Sequence, residues 1–258
     1  MFPTSNSCTI SETFDCPLSP ATNSINSPFM SIWTRISEAL ALVGDSIGVF
    51  LAKLAKGRVS APEKSLGFTI GMIALGAKMA KADGVVTVDE VAAFKRVFHV
   101  PQADLAAVAR VFNLAKQDVT GYDSYARQIS RLFHAKAATL ESVLDGLFHI
   151  AKADGIIHPA ELNYLENVAQ QFGFGAHDFA RIKARHVSAG PDDPYVILDV
   201  DRKMDLATIK LRYRKLVRDN HPDKQIAAGV PAEMVILATS RLARINAAYE
   251  QILKEHQL

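Results

Sequence analysis

Cysteine is almost missing from this chain. Its two copies, Cys8 and Cys16, sit in the first stretch, with no CxxC and no Cys/His pairing behind them. That excludes a zinc ribbon and a disulfide framework and is compatible with a reducing compartment. An excess of one charge is missing too: 29 Lys and Arg against 27 Asp and Glu leave +2 over 258 residues. So small an excess does not argue for nucleic acid, and any basic function must come from a local cluster. Residues 1–29 lack lysine and arginine altogether, which excludes a signal peptide with its basic start and apolar core. Rich in Ser, Thr, Pro and Asn, this segment is expected to be disordered, and Met30 is a candidate translation start. There is no phosphate-cradling glycine loop, no cofactor fingerprint and no defensible nucleophile–base pairing. His134, His149 and His158 are scattered over helical stretches. The expectation is a binding or regulatory protein without a cofactor, not an enzyme.

Long apolar runs are lacking as well. Over 30–57 the apolar positions Trp33, Ile36, Leu40, Val43, Ile47, Phe50 and Leu54 recur at gaps of three and four, which predicts one amphipathic helix. Glu38 and Asp45 interrupt it, so the reading is against a membrane span. The leading expectation is a helix packed on its own protein or on a partner. The other reading is an interfacial membrane anchor through the face at 31–54.

Lys56-Gly57 and Pro62 then mark a break. Residues 58–187 alternate apolar helical stretches with short turns and show no sustained period of two, so this part reads as all-α. It holds an internal repeat. Ala80-Lys81-Ala82-Asp83-Gly84 returns as Ala151-Lys152-Ala153-Asp154-Gly155, and the match continues with Glu90 against Glu161. Met72 and Ile73 stand opposite Val143 and Leu144. Two equivalent helix–turn–helix units are expected to pack together in one bundle. Gly84 and Gly155 suit the left-handed residue that ends a helix. Thr87 with Glu90 makes a capping box, and in the second copy Pro159 suits the first helical position with Glu161 at the third.

This repeated AKADG motif in a helical setting resembles the TerB-like fold of tellurite-resistance proteins. The resemblance implies metal ligation by the motif's acidic residues, which here are Asp83, Glu90, Asp154 and Glu161. Four converging carboxylates would suit a hard divalent cation. The leading reading of the same residues is structural, as caps and turns.

Residues 188–193 are a turn-rich linker. Beyond them, over 194–258, Asp205 suits an N-cap. Leu206, Ile209, Tyr213, Leu216 and Val217 follow at helical spacing. The other faces carry Lys210, Arg212, Arg214, Lys215 and Arg218, with no acid among them. The helix is expected to stop at Asn220, with His221-Pro222-Asp223 held in a loop by the proline. A second long helix is expected from about Ala232, giving an antiparallel hairpin.

Pro194-Tyr195, the Tyr213-Arg214-Lys215-Leu216 helix, His221-Pro222-Asp223 and Ile245-Asn246-Ala247-Ala248-Tyr249 together resemble a J domain of the DnaJ family. That resemblance implies docking of the basic helix and the HPD motif onto a DnaK-type chaperone, which triggers ATP hydrolysis and client capture. The residues carried over are His221, Pro222, Asp223, Lys210, Arg214, Lys215 and Arg218. The segment from Lys224 to Pro231 is longer and more apolar than that pattern expects. A TerB-like domain ahead of a C-terminal J domain is similar to the bacterial DjlA group, which implies a cytoplasmic protein or one peripheral at the inner membrane. In this reading the TerB-like bundle supplies targeting or regulation. The rival readings are metal sensing by the bundle and nucleic-acid binding by the basic helix; self-association is left open.

Overall fold

The structure, a computed structural model, describes residues 32–43, 46–57, 59–82, 100, 102–117, 121–133, 136–153, 155–187 and 193–256. Every regular element among them is helical, in line with the all-α expectation. The N-terminal part runs α1 (Ile32–Val43), α2 (Ile47–Lys56), α3 (Ala61–Ala82), α4 (Leu105–Gln117), α5 (Tyr122–Leu132), α6 (Ala137–Ala151), α7 (Pro159–Gln171) and α8 (Ala176–Val187). The C-terminal part runs α9 (Pro194–Leu198), α10 (Leu206–Asp219), α11 (Pro222–Ala228) and α12 (Val235–Glu255).

Where the sequence predicts one helix over 30–57, the structure has two. Ser46 takes up extended backbone, and its side chain accepts the Val49 N–H at 3.4 Å, so a new helix starts there. The apolar face is nonetheless used as a unit. Trp33, Ile36, Ile47 and Phe50 are all buried in the common core, so this face is turned onto the chain's own bundle. No helix among the described residues is long and apolar enough to cross a membrane.

α3 is the centre of that bundle. It is apolar on nearly all sides, and Leu66, Phe68, Ile70, Met72, Ile73, Leu75 and Met79 are buried, which is the pattern of a helix surrounded by others. Its start is held by Glu63, whose carboxylate accepts both the backbone N–H and the hydroxyl of Ser60 at 2.7 Å. α2, α4, α5, α6 and α7 all pack on it. α3 and α6, which open the two copies of the repeat, touch directly at Gly146. A Cβ there would lie 1.8 Å from Met72 Cε, so glycine lets the two helices close. The Tyr164 hydroxyl donates to the Leu75 carbonyl at 2.8 Å and ties α7 to α3.

The second copy of the repeat behaves as its sequence predicts. Gly155 is left-handed at φ 93°, Pro159 opens α7, and the Glu161 carboxylate accepts the His158 N–H at 2.9 Å. Glu161 is buried in that capping role. Asp83, Gly84, Thr87, Glu90 and Asp154 lie outside the described residues, as does His134.

The C-terminal part is a hairpin of α10 and α12 with α9 across its open side. Tyr195, Leu198, Ile209, Ile245, Ala248 and Ile252 form its small core. Tyr213 stacks on Tyr249 with ring centroids 4.0 Å apart, and its hydroxyl donates to Asn246 Oδ1 at 3.2 Å. Asp205 caps α10 by accepting the Thr208 N–H at 3.0 Å.

Two features of this part differ from the sequence reading. Pro222 and Asp223 are not in an irregular loop: Pro222 is the first residue of α11, where its missing N–H and fixed φ are favourable. The long apolar stretch 224–231 is α11 and its C-terminal turn, and it packs on the bundle. Gly229 ends α11 at φ 99°, a left-handed geometry suited to glycine. A Cβ there would stand 2.4 Å from Lys64 Cβ on α3. Val230 and Met234 continue into the bundle's own core. The hairpin is therefore seated on the bundle rather than hung beside it.

Candidate functional site

Helical spacing puts the cations of α10 on its outer faces. Lys210, Arg214, Lys215 and Arg218 are exposed. Arg212 is different: its Nη2 binds Asp199 Oδ2 at 2.5 Å and its Nε donates to the Leu198 carbonyl at 3.1 Å. It fastens α10 to the end of α9, leaving the other four as the outward positive face.

That face ends at the HPD corner. The His221 side chain is 51% exposed and that of Asp223 is 87% exposed. His221 Nδ1 accepts the Asp223 N–H at 3.3 Å, so in the neutral ring Nε2 carries the proton and points its donor away from this turn. Histidine here caps α11 with its own ring. The corner thus offers one N–H donor and one carboxylate acceptor on a proline-stiffened turn.

Asn220, just before the corner, and Gln225, two residues beyond it, are buried and pinned. Asn220 Nδ2 donates to the Leu216 carbonyl at 2.9 Å, and Asn220 Oδ1 accepts Arg241 Nη1 at 2.8 Å. Gln225 Nε2 donates to the Asp219 carbonyl at 2.9 Å, and its Oε1 accepts the Thr139 hydroxyl of α6 at 3.2 Å. An exposed tripeptide is held from both sides by amides that themselves have no freedom.

Arg241 leads from the corner into an ionic cluster between the bundle and the hairpin. Its Nη2 and Nε bind Asp145 Oδ2 at 2.6 and 3.0 Å, and it also donates to Ser142 Oγ at 3.2 Å and to the Ala138 carbonyl at 3.3 Å. Asp145 Oδ1 accepts Arg185 Nη2 and His186 Nε2, each at 2.9 Å. Glu141 Oε1 accepts Arg185 Nη1 at 2.6 Å and Arg181 Nη1 at 3.0 Å. Two carboxylates of α6 are thereby shared among arginines of α8 and α12. Burial pushes both carboxyls up, but Arg185 and Arg241 outweigh it. Glu141 is brought down to about 2, and Asp145 is held well below its ordinary range.

A group held below its ordinary value contributes stability that is complete above that value and is lost as pH falls through the folded one. Glu141 moves from an ordinary 4.5 to about 2. The stability of the full chain is therefore expected to fall progressively from about pH 4.5 toward pH 2. Urea midpoints taken across that window check this, and a flat profile would contradict it.

Sequence reading missed this cluster. A signal was present: Glu141 and Asp145 are four apart in an otherwise apolar helix, as are Arg181 and Arg185 in α8. Of the four carboxylates considered for a metal, only Glu161 is described, and its carboxylate caps α7. No group of three or more His, Cys, Asp or Glu side chains placed to hold a metal ion occurs among the described residues.

A basic helix leading to an exposed HPD corner, with a tyrosine-stacked hairpin behind it, is the arrangement of a J-domain protein. Comparison with known families agrees in both halves: residues 69–184 match tellurite resistance protein TerB, and residues 193–257 match the DnaJ domain. The chain is a DnaJ-family protein of the DjlA type, a TerB domain followed by a C-terminal DnaJ domain. It is similar to co-chaperone protein DjlA of Aliivibrio fischeri, 27% identical over 232 residues that cover 77% of this chain and 82% of that protein. The Vibrio parahaemolyticus protein of the same name is 32% identical over 144 residues, covering 45% of this chain and 51% of its own. That of Salmonella typhimurium is 29% identical over 171 residues, covering 58% and 63%. No solved structure matches the chain significantly.

Proposed function

We propose that this protein is a co-chaperone that stimulates ATP hydrolysis, and with it client capture, by a DnaK-type heat-shock chaperone. The observation that carries this reading is the outward HPD corner pinned by Asn220 and Gln225 at the end of a helix with four exposed cations. The cations of Lys210, Arg214, Lys215 and Arg218 speed encounter with an acidic partner surface. His221 and Asp223 then make directional hydrogen bonds that a flexible loop would hold only at an entropic cost. The relatives named co-chaperone support the same reading.

The TerB domain is proposed to target or regulate the J domain. Metal binding by its repeat carboxylates remains a proposal of its own, separate from the J-domain activity. Nucleic-acid binding by α10 is the weaker reading, because it gives the pinned HPD corner nothing to do. In single-turnover hydrolysis, adding the full chain to the host's DnaK-type chaperone is expected to accelerate loss of bound ATP. No acceleration at saturating concentration would contradict the proposal.

A further inference from the structure

Beside the HPD corner the bundle and the hairpin enclose a cleft of about 450 Å³. The N-terminus of α6 forms one wall with Lys136 and Thr139; Lys215 and Asp219 of α10 and Lys224 of α11 form the other. Its charge is unbalanced. Asp219, the one carboxylate lining it, is already bound to Lys224 Nζ at 2.6 Å. Lys64 and Lys136 from the bundle and Lys215 from the hairpin form no ion pair among the described residues. Burial, then the nearby Lys64 and Lys224 ammoniums, press the Lys136 amine below its ordinary range. The Lys136 backbone at the start of α6 carries no side-chain cap, so the positive end of the helix dipole adds to the same field.

Folding has therefore gathered Lys136, Lys215 and Lys224 from the bundle and the hairpin around one opening, with Lys64 beside Lys136, and of these only Lys224 has a counter-charge among the described residues, Asp219. The gathering is not a chance of loose side chains. Gln225 is bonded to Thr139 across the cleft floor, and Gly229 lies directly against Lys64, so the two walls are fixed relative to each other. Lys215 belongs both to the cleft and to the outward face of α10, and Lys224 directly follows Asp223. The positive face of the J domain thus adjoins Lys136 of the bundle across this cleft.

We propose that this cleft is a second part of the chaperone-docking surface, receiving an acidic segment of the DnaK-type partner while the HPD corner engages it. The bundle then contributes directly to partner binding through Lys136, with the Lys64 ammonium beside it. This rests on the co-chaperone reading above. Charge complementarity and continuity with the HPD corner decide for the chaperone as occupant over a free anionic surface.

The test is a titration of the DnaK-type chaperone's steady-state ATP hydrolysis with three full-length proteins: wild type, Lys64→Gln/Lys136→Gln and His221→Gln. For the lysine pair the concentration at half-maximal stimulation is expected to rise ~3–10-fold with the maximum unchanged, and the gap to close at high salt, as for charges that steer encounter. Lys64→Arg/Lys136→Arg is expected to titrate like wild type, which separates charge from shape. If the lysine pair titrates like wild type while His221→Gln is silent, docking is confined to the J domain and the proposal is overturned. If wild type itself gives no stimulation, the co-chaperone reading fails first and takes the proposal with it. Cosedimentation with phosphatidylglycerol vesicles covers the remaining source of negative charge. Vesicle binding lost by the pair, with an unchanged hydrolysis titration, would assign the cleft to lipid and overturn the proposal.

Discussion

Asp145→Ala lowers the free energy of unfolding of the full chain by about 3–5 kcal/mol, the range for removing one partner of a buried ion pair. Both oxygens of this carboxylate are committed, Oδ2 to Arg241 and Oδ1 to Arg185 and His186. The Arg241 and Arg185 side chains are only 4% and 8% exposed. Without Asp145, Arg241 keeps only neutral acceptors and a distant Glu141 oxygen at 3.8 Å. Its guanidinium must then stay buried and underpaired or pull α12 off α6. The loss comes from stranding charge, not from losing a pair that was strongly favourable in itself, because desolvating both partners offsets much of their attraction. The double variant Asp145→Leu/Arg241→Met is therefore expected to be more stable than Asp145→Ala. Urea denaturation of the three proteins checks both statements through the midpoint at constant slope. A loss below about 1 kcal/mol for Asp145→Ala would mean that the cluster is as weak as a surface pair.

The parts of the fold that were legible in the sequence are those decided by neighbours along the chain. The three-and-four spacing of α10, its Asp205 cap, and the Pro159/Glu161 start of α7 depend on residues within one or two turns, and each is found as the spacing requires. The HPD tripeptide stood out through its resemblance to J domains, but its place at the start of α11 was not legible, because the proline was read as holding a loop. What the sequence did not disclose depends on partners far apart. Arg241 and Asp145 are 96 positions apart and Thr139 and Gln225 are 86 apart, so no local pattern pairs them. The long apolar stretch 224–231 looked out of place because its partner, the α3–α6 side of the bundle, is named nowhere near it. Once Val230 and Met234 are seen in the bundle core, its length and apolarity are what seating the hairpin requires. The break at Ser46 was hidden differently: an apolar face that continues across two helices has the same periodicity as one helix.

His221→Gln abolishes stimulation while leaving the fold in place. Glutamine can reach for the Asp223 N–H, and the side chain is half exposed, so little packing is lost. Missing is the rigid ring that caps α11 with one nitrogen and offers its N–H outward from the other. Asn220, Gln225 and the Arg241 cluster are untouched by this change, so the corner is presented as before without its donor. The most direct measurement is steady-state ATP hydrolysis by the host's DnaK-type chaperone at increasing concentrations of wild type and of His221→Gln, with urea midpoints showing both proteins folded. Stimulation that rises and saturates with wild type and stays at the basal rate with the variant is the result predicted here. Equal curves for the two proteins, whether raised or flat, would contradict it.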